Sequence, residues 1–274
     1  MHEILVHIRN HHSWGHAAAY AADLAARMSA SLTGAYVEPS PLAMAMPYPA
    51  PDVQILARQT VHEDEARAAK VADRFTTWAK SYGVPEASWQ VAEGDIPRSL
   101  ARLADRHDLL VLDRNCEDPA GTARMLGTIV LSSGLPCIVV PPRKREANLE
   151  RIALAWNHSA ESMRAMHAAL PLLSHATNII LLAAEAPEEN PEHGWMPAFD
   201  IDQYLAHQGL KVEREMIRGA DSEAGELILA ASRRHRADLL VMGAYGRTRF
   251  SEWMLGGATR SVLMDAPLPV FLKH

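Results

Sequence analysis

The residues best suited to chemistry run from 243 to 259: Gly243-Ala244-Tyr245-Gly246-Arg247-Thr248-Arg249-Phe250-Ser251-Glu252-Trp253-Met254-Leu255-Gly256-Gly257-Ala258-Thr259. Gly243, Gly246, Gly256 and Gly257 all fall in this stretch, although the whole chain has only 15 glycines. Glycine lets backbone amides approach an anion with no Cβ in the way. A helix beginning at about Gly257 would turn its unpaired N–H groups and the positive end of its dipole toward that anion. Arg247 and Arg249 add positive charge, and Thr259 brings a hydroxyl to the helix start. This is the chemistry of a phosphate cradle, although the same glycines also suit a set of tight turns with no ligand.

The other constellations are weaker. His7, His11, His12 and His16 crowd one segment of a chain with 14 histidines. Imidazoles can gather a transition metal, but no nearby cysteine or paired carboxylate completes a familiar ligand spacing, so ordinary loop histidines are expected. Cys116 and Cys137 match neither a CxxC redox pair nor a zinc spacing and read as free thiols in a reducing compartment. No Ser-His-Asp, paired-carboxylate or HExxH arrangement has local spacing, and Ser159 beside His158 is too close in sequence to be informative. With no evident general base, the chain is not expected to be an enzyme. The apolar, proline-rich residues 44–51, and Gly194-Trp195-Met196-Pro197 in the corresponding place of the second half, read as hydrophobic loops tucked against their own domains or as covers for a pocket or partner surface.

Composition narrows the setting. The chain is 48% hydrophobic and 22% charged, enough apolar residues for packed cores and unlike a disordered sequence. A formal net charge of −6 argues against nucleic acid as the main partner, because phosphate-tracking surfaces need a basic excess. The start of the chain lacks the long apolar run of a signal peptide, and no stretch is long and apolar enough to span a membrane, so a soluble cytoplasmic protein with no membrane partner is expected.

The elements that must position the glycine loop come from a repeat. An apolar run over residues 4–8 precedes an Ala-rich helical stretch at 17–28, and the same order returns as Ile152-Ala153-Leu154-Ala155-Trp156 before a helical stretch at 161–173, with Ser159 as its N-cap. His107-Asp108-Leu109-Leu110-Val111-Leu112 parallels Ala237-Asp238-Leu239-Leu240-Val241-Met242. Leu126-Gly127 parallels Leu255-Gly256, and Leu135-Pro136-Cys137 parallels Leu268-Pro269-Val270. Between the halves, Pro141-Pro142-Arg143-Lys144-Arg145-Glu146-Ala147-Asn148 reads as a linker, giving domains at 1–142 and 149–274. Strands are expected near 3–8, 31–37, 88–92, 109–113 and 136–140, then near 151–156, 178–183, 211–217, 238–242 and 269–273. Apolar strands alternating with helices predict an α/β protein of two doubly wound, Rossmann-like domains, each with a five-stranded parallel sheet. Ligands in such sheets bind beyond the carboxyl ends of the strands where the strand order reverses, which points to the loops after the first and fourth strands.

The spacing of Gly243, Gly246 and Gly256, the Asp-Leu-Leu-Val-Met-Gly entry and the terminal Leu-Pro-Val strand resemble the universal stress protein family in its tandem two-domain form. ATP-binding members of that family carry G-x2-G-x9-G-[ST] after the fourth strand. The resemblance implies adenine-nucleotide binding, ATP with or without Mg, through the C-terminal domain. Met242 and Gly243 would line the adenosine side, Gly246 and Arg247 would border the ribose and phosphates, and Gly256, Gly257, Ala258 and Thr259 would hold phosphate. Two positions depart from the family pattern. Gly257 replaces the motif Ser or Thr, and Asn157 stands where an Asp usually meets the adenine; Asn157 can still exchange hydrogen bonds with a base or serve as a turn residue opening the helix.

In the N-terminal half the place of Gly243 is taken by Asp113, followed by Arg114-Asn115-Cys116-Glu117-Asp118, and only Gly127 remains of the glycine set. Acidic groups there repel a triphosphate, so this half is expected not to bind nucleotide in the family manner and to serve packing or partner recognition. Two functions follow from these observations: a stress-response ATP sensor with at most slow hydrolysis, and a nucleotide-independent scaffold or protein-interaction module. Final strands at sheet edges also suit a homodimer or pairing of the two domains within one chain, the family's habit of dimerising pointing the same way.

Overall fold

The computed structural model describes residues 1–39, 67–114, 119–143, 146–185, 199–220, 222–245 and 257–274. Cys116, the loops at 44–51 and 194–197, and Gly246, Arg247, Arg249 and Gly256 of the glycine loop lie outside the described residues. The chain forms two compact units, Met1–Ala147 and Asn148–His274.

In the first unit, β1 (Glu3–Ile8), α1 (Gly15–Met28), β2 (Ser31–Pro39), α2 (Ala72–Ser81), β3 (Ala87–Gly94), α3 (Ile96–Ala104), β4 (Leu109–Asp113), α4 (Pro119–Ser132) and β5 (Cys137–Val140) follow in chain order. The strands lie in the order β3-β2-β1-β4-β5, and every described pairing is parallel. Ile4, Leu5, Val6 and Ile8 are fully buried, as a strand covered on both faces requires. α1 contributes buried Ala17, Ala18, Ala21, Ala22 and Ala25, whose small side chains let the helix lie close to the sheet. Each buried leucine or valine of the core contributes about 1.5–3 kcal/mol. Trp14, Phe75 and Trp78 pack ring on ring, with the Arg74 guanidinium over Trp14 and hydrogen-bonded to the His11 carbonyl at 2.9 Å. That guanidinium ties the loop after β1 to α2.

The second unit repeats the plan: β6 (Arg151–Trp156), α5 (Ala160–Leu173), β7 (Asn178–Ala183), α6 (Ile201–His207), β8 (Val212–Met216), α7 (Ala224–Arg234), β9 (Leu239–Gly243), α8 (Gly257–Asp265) and β10 (Val270–Lys273). Its strands run β8-β7-β6-β9-β10, again parallel in every described pair. β8 ends this order, and its Glu213, Arg214 and Glu215 suit an edge. Arg214 pairs with Asp202, and Glu215 pairs with Arg234 and His235.

The matching aspartates before β4 and β9 have one job in both units. Asp108 accepts hydrogen bonds from the His2 and Glu3 amides at 2.6 and 3.2 Å, and the Asp108 amide donates to the Glu3 carbonyl. Asp238 likewise accepts from the Arg151 amide at 2.9 Å and donates its own amide to the Arg151 carbonyl. Each aspartate therefore pins the start of the first strand of its unit beside the fourth and sets their register.

Candidate functional site at the carboxyl ends of β6 and β9

β6 pairs with β7 on one side and β9 on the other, so the order reverses between β6 and β9, at the switch point where open α/β sheets bind ligands. Trp156 ends β6 and Gly243 ends β9. From Trp156 the chain needs only Asn157, His158 and Ser159 to enter α5, which places the start of that helix directly over the switch point.

Ser159 caps α5: its backbone is extended and its Oγ accepts from the Ser162 amide at 3.1 Å. Asn157 Oδ1 accepts from the Ser159 amide at 3.2 Å and from the Ser159 hydroxyl at 2.7 Å. Two bonds fill both acceptor positions of that oxygen, so Asn157 is a turn residue opening the helix and has only its amide protons to offer. His158 makes the turn with φ +61°, the left-handed region.

Gly243 faces the backbone of α5. A Cβ there would stand 2.6 Å from the Glu161 carbonyl carbon and the Ser162 amide nitrogen, distances no real Cβ tolerates. The glycine therefore lets strand end and helix start touch, and its conservation of space is spent on packing. Met242 is 5% exposed and in register with Leu272, so its side chain belongs to the core.

Beyond β9, Ala244 donates its amide to the Lys273 carbonyl, and Tyr245 takes a left-handed φ of +62°. α8 is described from Gly257 onward. Gly257 is exposed, and among the described residues a Cβ added to it would meet nothing within 4 Å. Ala258 is half-buried and Thr259 is buried, its Oγ1 accepting from the Tyr245 amide at 3.3 Å. Of the sequence-derived site residues, the structure thus brings Gly243 and Asn157 to the start of α5, and places Thr259 of α8 beside the end of β9.

Sequence reasoning missed the aromatic side of the site. Trp156 packs against His158 at 5.5 Å and Phe199 at 5.7 Å between ring centroids, and Phe199 continues to Tyr204 at 5.6 Å. A tryptophan closing the first strand was the available signal.

The first unit solves the same junction in the opposite way. Asp113 ends β4 where Gly243 ends β9, and the helix facing it begins with a glycine, Gly15, at φ +73°. A Cβ on Gly15 would lie 3.9 Å from Asp113 Oδ2. Burial pushes the Asp113 carboxyl up from its ordinary value, and the nearby positive charges of Arg9, His16 and Arg114 oppose that rise. Among the described residues, no group of three or more His, Cys, Asp or Glu side chains is placed to hold a metal ion. No described helix is long and apolar enough to cross a membrane.

Two doubly wound parallel-sheet units, each with its switch point between first and fourth strands, define the class. Residues 148–273, which make up nearly all of the C-terminal unit, match the model of the universal stress protein family. The chain is 25% identical to a universal stress protein of Synechocystis sp. over 177 residues, 62% of this chain and 59% of that protein, so it spans less than two thirds of this relative's length. In fold, it resembles a universal stress protein of Archaeoglobus fulgidus with a TM-score of 0.68 at 12% identity, covering 98% of this chain and 95% of that one. A functionally unknown protein of Pseudomonas aeruginosa PAO1 has a TM-score of 0.58 at 15% identity, covering 100% of this chain and 92% of that one.

Proposed function

We propose that the C-terminal unit binds an adenine nucleotide, ATP with or without Mg, and that the protein acts as a nucleotide-sensing member of its family. The observation that carries this reading is the placement of Gly257–Thr259 beside the end of β9, where the Thr259 Oγ1 accepts from the Tyr245 amide at 3.3 Å. Gly257 is exposed, and it closes the run that holds Gly243, Gly246 and Gly256. Glycines and a hydroxyl at the switch point suit the phosphate end of a nucleotide. The phosphate end of a nucleotide thus fits the residues present better than the base end does, since the Asn157 carbonyl is already committed.

Calorimetric titration of nucleotide-stripped protein with Mg-ATP tests this, beside a Gly257→Asp variant. An aspartate at this exposed position meets no neighbour among the described residues, so the fold is kept while a carboxylate enters the proposed phosphate cradle. One site per chain, weakened at least about tenfold in the variant, supports the nucleotide reading.

A second reading, a scaffold that needs no nucleotide, is favoured by one observation: packing alone accounts for Gly243. Absence of binding heat at several temperatures, with no nucleotide in the unstripped protein, would move the function to that reading.

A further inference from the structure

We propose that the N-terminal unit carries a site for a small inorganic oxyanion, phosphate or sulfate, closed by the unit's own Asp113 carboxylate and opened when that carboxylate is neutralised. Arg9 follows the last residue of β1, Gly15 and His16 open α1, and Asp113 ends β4 with Arg114 directly after it. The charges of Arg9, His16 and Arg114 all act on Asp113, whose Oδ2 lies 3.9 Å from where a Gly15 Cβ would stand. Three cations thus converge on one carboxylate, and the place carries surplus positive charge once that carboxylate is neutral.

The carboxylate is held there by charge rather than by hydrogen bonds. Asp113 Oδ1 is buried and has no hydrogen-bond partner among the described residues. Asp108, by contrast, accepts from two backbone amides, which hold its carboxyl below its ordinary value. Burial raises the Asp113 carboxyl above its ordinary value, so falling pH neutralises Asp113 before Asp108. A histidine such as His16 gains charge over the same fall. The other elements around Asp113 supply no replacement acid: the first turn of α1 has none, and the register partner on β5 is Val140.

Solvent reaches this cluster, because Arg9, Gly15 and His16 are exposed and Asp113 is half-buried. The matching junction of the second unit is built otherwise. Gly243 lies against the α5 backbone there, Ser159 caps that helix, and Glu161 puts an acid in its first turn. The N-terminal unit alone therefore has the surplus of cations, and its own carboxylate decides when an outside anion can use it.

Sulfate is the probe, since its charge is constant over the pH range needed. Amide NMR shifts of Gly15 and Ala17 in the full chain, read against chloride at equal ionic strength, report this site apart from any anion bound elsewhere. In the parent, sulfate affinity at these amides should rise at least about fivefold as pH falls from about 7 to about 5. Asp113→Asn should bind sulfate at pH about 7 at least about tenfold more tightly than the parent, and Arg9→Gln should weaken binding in both backgrounds. His16→Gln should keep the pH dependence, because Asp113 is the gate. Gly15 and Ala17 amides that ignore sulfate in a folded Asp113→Asn variant overturn the proposal, as does a pH dependence that His16→Gln abolishes. Should the asparagine variant fold poorly, the pH series of the parent and of His16→Gln decide the matter between them.

Discussion

Gly243 stands against Ser162 so closely that a single methyl group would bring it within 2.6 Å of the serine amide nitrogen. Backbone on both sides of this contact leaves little room to relax. Gly243→Ala should therefore destabilise the C-terminal unit by about 1–3 kcal/mol, and Gly257→Ala, at an exposed position with no neighbour among the described residues, should not destabilise it. Urea denaturation midpoints of the two variants check this contrast.

Ser159 holds the start of α5 through the Ser162 amide, and it also donates its hydroxyl to Asn157. Ser159→Ala removes both bonds and should cost about 1–2 kcal/mol, whereas Ser159→Asp, which can still cap, should recover most of it. Thermal unfolding of both variants reads the difference.

Asp108 and Asp238 predict a pair of equivalent defects. Replacing either by Ala removes the acceptor for the first-strand amides of its unit and should cost about 1 kcal/mol, since both carboxylates sit in partly exposed positions. Amide exchange should quicken at Glu3 in the first variant and at Arg151 in the second.

His7 predicts the acid limb of the stability curve. Burial, reinforced by the charge of Arg9, lowers its pKa to about 4, whereas an unfolded histidine titrates near 6.5. Between those two values the unfolded chain binds more protons than the folded one, so this contribution is fully present above about 6.5 and is lost as pH falls toward about 4. The loss amounts to about 3 kcal/mol. Asp113, whose carboxyl is raised by burial, works in the opposite sense at the acid end. Denaturant midpoints measured across pH 4 to about 7 should slope steeply in the parent and flatten in His7→Leu.

Much of this architecture was legible in the residues. Apolar runs gave the central strands β1, β4, β6 and β9 within one position of those observed, because parallel strands buried on both faces favour apolar side chains. Ser159 was legible as a cap, being local in sequence. What escaped was set by contacts between distant segments. Gly243 reads as a ligand-facing glycine until α5 is laid across it. Asp108 and Asp238 were visible as a repeated letter, but the strands they hold lie far away in the chain.

Asp113 facing Gly15 and Gly243 facing the Glu161–Ser162 backbone bear on how the halves can be recombined. A chimera that moves β9 into the first half without its helix loses the Asp113 carboxylate and leaves Arg9, His16 and Arg114 without their shared counter-ion. The reverse graft drives a carboxylate into a helix backbone that has no space for it. Strand end and helix start are thus one inheritable cassette, and gene-shuffling breakpoints between the halves should be tolerated only where they keep both pieces together.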